Sequence, residues 1–136
     1  MGVHFTIDRD ARLVVYTVEG VTTADQARAF LAAVLTHPDY EPGFDFLGDR
    51  REVDEEPDTA YVRVVSFEVM SRKASLGPCR WAVLVSSELG YGMVRMWGLM
   101  TEASGVEIAP FRHVADALEW LGLPATYFPA VLATAS

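Results

Sequence analysis

The chain predicts one α/β domain with a mostly parallel five-stranded sheet, an antiparallel first strand and four helices, in the order ββαβαβαβα. Three observations carry that reading. β-leaning runs alternate with apolar stripes of helical period along nearly the whole length. The first two runs are separated only by a short charged turn, which makes them an antiparallel hairpin, whereas each later strand is reached through a helical crossover. The run from Trp81 to Val85 is apolar at every position, the pattern of a strand covered on both faces in the middle of a sheet.

In order along the chain, Val3 to Asp8 and Leu13 to Val18 form the hairpin around Arg9-Asp10-Ala11-Arg12, and Gly20 ends it. Thr22 and Thr23 can cap the first helix, with Gln26 completing a capping box after Thr23. Ala27, Phe30, Leu31, Val34 and Leu35 make its inward stripe, and His37-Pro38 stops it. Pro42-Gly43 turns the chain into a third strand, Phe44, Phe46 and Leu47, ending at Asp49.

Pro57-Asp58 opens the next element, with Asp58 as its cap. The segment YVRVVSFEVMSRK fits a strand through Tyr61, Val65, Phe67 and Val69 nearly as well as a helix. A helix is expected, because two strands flank it at crossover spacing and Arg72 and Lys73 suit a helix C-terminus. Gly77-Pro78 ends it. Leu89, Met93, Met96, Trp97 and Met100 mark a third amphipathic helix that closes near Gly105. A short strand from Val106 to Pro110 precedes a last helix with Val114, Ala117, Leu118 and Leu121 inward, stopped by Gly122 and Pro124. Residues 1–122 form the domain, and 123–136 an apolar tail that either moves freely or covers an exposed patch.

Composition narrows the function classes. With 136 residues, 51% of them hydrophobic and 22% charged, the chain can build one core and is not disordered. A net charge of −8 repels phosphate backbones, so nucleic acid is not an expected partner. No apolar run is long enough to span a bilayer and no leader pattern opens the chain, so a cytoplasmic protein is expected. Cys79 is the sole cysteine, which rules out an internal disulfide and a cysteine-rich metal site. The apolar tail and aromatic residues needing cover suggest a homodimer.

Several segments together carry a family resemblance. Gly20-Val21-Thr22 opens the first helix. His37-Pro38-Asp39-Tyr40 is followed by Pro42-Gly43-Phe44, and Leu47 by Asp49 and Arg51 at the strand end. Tyr91-Gly92 stands with Arg95, and Phe111 with Ala117, Trp120 and Leu121. In that order and spacing the chain resembles the SpoIIAA-like family of bacterial proteins over about residues 3–122. The resemblance implies a fold similar to the STAS domains of anti-sigma-factor antagonists and to lipid-binding CRAL-TRIO domains. Those antagonists are switched by phosphorylation in a motif resembling Asp-Ser-Ser-Gly after the third strand. Here the region reads GDRREVDEEPDT, where a phosphate on Thr59 would meet Glu55, Glu56 and Asp58, so the phospho-switch is not carried over.

Candidate sites come from three places. Asp49, Arg50 and Arg51 stand at the C-terminal strand edge where open α/β sheets bind ligands. Arg51 either holds a carboxylate or phosphate with its planar fork or neutralises the acidic loop. That loop, Glu52, Asp54, Glu55, Glu56 and Asp58, lacks the spacing and central glycine of a calcium loop, and it reads as a solvated surface rather than a metal site. Gly90-Tyr91-Gly92 opens a helix after a strand, and with Ser86 and Ser87 could receive an anion. Arg95 replaces the third glycine of a dinucleotide fingerprint, so no such cofactor is expected. Met93, Met96, Trp97 and Met100 are either core or an adaptable ligand wall.

The candidate ligand-binding set is therefore Asp49, Arg51, Tyr91, Gly92, Arg95 and Met96. No nucleophile elbow, zinc motif or phosphate loop is present, and His4, His37 and His113 are scattered. The expected function is a non-enzymatic STAS-like binding or regulatory module without a cofactor, acting through a protein partner or a small apolar or anionic ligand. The alternative is a carrier of lipid or another hydrophobic small molecule.

Overall fold

The computed structural model describes residues 2–53 and 58–127. Its strands are β1 (Gly2–Asp8), β2 (Leu13–Gly20), β3 (Asp45–Val53), β4 (Cys79–Leu84) and β5 (Val106–Phe111). Its helices are α1 (Ala24–Leu35), α2 (Thr59–Ser71), α3 (Lys73–Leu76), α4 (Glu88–Met100) and α5 (Val114–Leu121), with a 3-10 turn at Glu102–Ser104. The strands lie side by side in chain order, β1 antiparallel to β2 and all the rest parallel. When spatial order follows chain order, right-handed crossovers put every connecting helix on the same face of the sheet. So α1, α2 and α4 share one face, and α5, which follows the last strand, covers the other.

Two cores result, separated by strand alternation. Val14, Tyr16, Val18, Phe46, Trp81 and Val83 point towards α1, α2 and α4, while Leu13, Val15, Leu47, Ala82 and Leu84 point towards Ala117, Leu118 and Leu121 of α5. Arg80 ties α5 down, donating to the Trp120 carbonyl at 2.6 Å and lying over its ring.

The local signals behave as their chemistry requires. Thr23 and Gln26 form the reciprocal capping box of α1, and Asp58 Oδ1 accepts from the Tyr61 N–H at the start of α2. The ambiguous valine-rich segment is helical. Gly122 ends α5 in the left-handed region, with φ 75°.

Other details differ from expectation. β3 continues past Asp49 to Val53. Arg72 caps α2, but Lys73 begins the separate short helix α3, a fifth helix that the sequence did not reveal. The inward stripe of α4 is turned by about one residue. Gly90 and Val94 are buried, whereas Leu89 and Met100 are exposed. The cause is Gly98, where a Cβ would overlap the Ile108 carbonyl oxygen, so that α4 rests directly on the backbone of β5. Of the tail, Leu123 and Tyr127 pack on the α5 core, and the Tyr127 hydroxyl donates to Asp8 at 2.9 Å. Residues 128–136 of the tail and residues 54–57 of the acidic loop lie outside the described residues.

Candidate functional site

The helical face of the sheet leaves a cleft of about 90 Å³ beneath α1, α2 and α4. Its floor is set by three adjacent strands. Tyr16 on β2 is in register with Gly48 on β3, and its ring occupies the space where a Gly48 side chain would stand. This close approach carries the Tyr16 oxygen to β4, where it accepts the Trp81 Nε1 hydrogen at 2.8 Å. Trp81 stacks on Phe46 with centroids 4.0 Å apart. Trp97 of α4 meets Trp81 edge-on at 4.9 Å, and Phe30 of α1 leans on Tyr16 at 4.7 Å. Burial pushes the Tyr16 phenol up to about 12, partly offset by the Trp81 hydrogen bond, so it remains a neutral hydroxyl at physiological pH.

Arg50 is the cationic member of this lining. It follows Phe46 and Gly48 at two-residue steps along β3, so its side chain points to the helical face. Its Nη2 is buried and has no hydrogen-bond partner among the described residues, and the same holds for Nε1 of Trp97 in the same cleft. Each unsatisfied donor costs about 1–3 kcal/mol, and more when the group is charged. Glu68 also lines the cleft, but its carboxylate is engaged elsewhere, by Arg28 at 3.6 Å and Arg72 at 3.3 Å.

The six residues suggested by sequence fall outside this lining. By alternation, Asp49 and Arg51 point to the opposite face of β3. Asp49 is 2% exposed and holds Arg51 in a two-point grip, with Nε–Oδ1 2.9 Å and Nη2–Oδ2 2.8 Å. The Arg51 backbone N–H also donates to Oδ1, at 3.0 Å. That bonding to Asp49 raises the Arg51 guanidinium above its ordinary value. Ser86 donates to the Arg51 carbonyl at 3.3 Å, joining the end of β3 to the loop before α4.

On α4, the Gly90 N–H is taken by the Ser87 hydroxyl at 2.9 Å. Tyr91 lies under the Arg112 guanidinium at 4.6 Å, Gly92 faces open space, Arg95 is exposed and Met96 is half-buried. The residues that sequence reasoning missed are Tyr16 and Trp81, whereas Arg50 was named at the strand edge but left out of the ligand-binding set. Trp97 was noticed only as one of a stripe. Arg50 had a signal in its parity with Phe46, since two adjacent arginines on a strand must take opposite faces. The Tyr16–Trp81 bond joins positions 65 residues apart and left no local trace.

With this geometry in hand, the search of solved structures finds an uncharacterized protein of the DUF3478 family with a SpoIIAA-like fold from Shewanella loihica PV-4. It is similar to this chain with a TM-score of 0.61 and 21% identity, over 88% of this chain and 94% of that one. The fold is SpoIIAA-like. At that identity the likeness fixes the SpoIIAA-like architecture alone. No family model and no curated protein sequence matches the chain. Among the described residues no helix is long and apolar enough to cross a membrane.

Proposed function

We propose that this SpoIIAA-like domain is a non-enzymatic binding or regulatory module that takes a small ligand in the cleft beneath α1, α2 and α4. The observation that carries the reading is the pair of donors without a partner among the described residues, Arg50 Nη2 and Trp97 Nε1, in a cleft lined mainly by aromatic and aliphatic groups with Thr22, Gln26 and Glu68 among them. Buried polar groups in folded proteins are nearly always satisfied, and a few convergent polar groups in an apolar pocket are the usual form of a small-molecule site.

A binding role is favoured over catalysis by the state of the ionisable groups. Tyr16 stays protonated at neutral pH, and Glu68 is held by two arginines. The volume favours a small molecule over a lipid chain, because pockets for drug-sized ligands occupy roughly 300–1,000 Å³. A long acyl chain would require α2 and α4 to part.

The test uses the indole N–H resonances of the three tryptophans. Trp81 and Trp97 border the cleft, whereas Trp120 packs with α5 on the far side of the sheet. A screen of small apolar and amphipathic compounds is expected to yield ligands that move the Trp97 signal and leave Trp120 in place. A screen in which nothing moves Trp97 retires the reading, and native mass spectrometry with a long-chain lipid retained would favour the carrier instead.

Exposed Phe67 on α2 and Leu89 and Leu99 on α4 favour a protein contact, including a second copy of the chain, on these neighbouring helices. Light scattering at micromolar concentration should then give twice the 15.0 kDa monomer. A monomeric mass counts against self-association.

A further inference from the structure

We infer that the cleft recognises a small monocarboxylate, its carboxylate on the Arg50 guanidinium and a short apolar body against Trp81, Trp97 and Met93. This rests on the cleft being a binding site and adds the chemistry of what it binds. A guanidinium remains charged at every physiological pH, so half-buried Arg50 cannot relieve the missing bond of its buried Nη2 by losing a proton. That nitrogen needs an acceptor, and a partly desolvated cation is best answered by an anion.

Among the described residues the chain supplies none. Glu68, the carboxylate that shares the cleft, is bound to Arg28 and Arg72. Asp49 lies on the other face of β3 in its grip on Arg51. A planar carboxylate matches the guanidinium fork, and Trp97 Nε1 offers a second donor in the same space.

Charge and size narrow the ligand further. One cation without an ion pair among the described residues balances one negative charge, and a net charge of −8 together with Glu68 opposes a phosphate carrying two. The cleft volume of 90 Å³ lies between the space a water needs and the roughly 150 Å³ of a dry cavity that accepts benzene. A body of a few carbon atoms therefore fits without moving the helices.

The experiment titrates the full chain with butanoate and, separately, with butanamide, following the Trp97 and Trp120 indole signals. Butanoate should move Trp97 and not Trp120, and butanamide should bind at least about tenfold more weakly, the value of a charge-assisted pair. In Arg50→Met the preference for the acid should vanish while the melting temperature is equal to or above that of the natural chain, because the substitution removes a charged group whose buried Nη2 has no hydrogen bond among the described residues. A purely structural Arg50 would instead lower it.

Equal binding of acid and amide overturns the inference and leaves the cleft reading intact. Binding of neither, with no other ligand moving Trp97, overturns both. Should Arg50→Met fail to fold, the acid–amide comparison on the natural chain decides alone.

Discussion

Tyr16 and Cys79 are both pushed up to about 12 by burial, from ordinary values of 10.0 and 9.0. Both are neutral in the folded chain over the range where the unfolded chain has lost the proton. Folding stability therefore holds up to about pH 9 and falls as pH rises towards 12, by about 1.4 kcal/mol per pH unit for each proton involved. Urea midpoints against pH should show the decline beginning near the ordinary thiol value, and in Cys79→Ala its onset should move up by about one unit. An unchanged onset would separate the thiol from the effect. Asp49 makes a second case. Removing its partner in Arg51→Ala leaves a carboxylate that is 2% exposed with the Arg51 backbone N–H as its remaining hydrogen bond. A loss of about 1–3 kcal/mol in urea unfolding is expected, whereas an inert surface pair would cost less than 1.

Helix α4 depends on its smallest residues. The periodicity of Leu89, Met93, Met96, Trp97 and Met100 locates the helix correctly and its inward face less well, because a hydrophobic pattern counts large residues and treats glycine as neutral or disruptive. Close packing reverses that weighting. Gly98 lets the helix touch the β5 backbone, and this contact turns Gly90, Val94 and Trp97 towards the sheet while Leu89 and Met100 face outward. In Gly98→Ala the better helix propensity is worth up to about 1 kcal/mol, but the added methyl meets a backbone carbonyl that cannot rotate away, at a cost of about 1–3 kcal/mol. A net destabilisation in thermal unfolding is expected, and a more stable variant would refute the contact. Gly48 holds an equivalent place in β3, since a side chain there would expel the Tyr16 ring from the cleft floor.

The described residues are arranged asymmetrically about the sheet: the crossover helices α1, α2, α3 and α4 lie on one face and the terminal helix α5 packs on the other. A ligand in the cleft touches β2, β3, β4, α1, α2 and α4, and α5 lies beyond its reach. At a hundred times the dissociation constant, binding adds about 2.7 kcal/mol to the native state. Amide exchange under native conditions should therefore slow in α1, α2 and α4 with butanoate present, with the α5 amides changed only where their exchange requires global unfolding. Slowing confined to α5 would place the ligand on the wrong face.

The sequence by itself determined the order of the elements, the antiparallel first strand, the capping box at Thr23 and Gln26, the Asp58 cap and the glycine stop at Gly122. Each of these rests on residues within about four positions of one another, so local backbone chemistry decides it. It also placed Asp49 and Arg51 together at a strand end. Tertiary structure alone decided that these two neutralise each other, that the neighbouring Arg50 enters a cleft where its Nη2 has no partner among the described residues, and that Tyr16, Trp81 and Trp97 border that cleft. Those outcomes depend on which strands become neighbours and on how closely α4 approaches β5, which are set by long-range packing rather than by the residues on either side of each position.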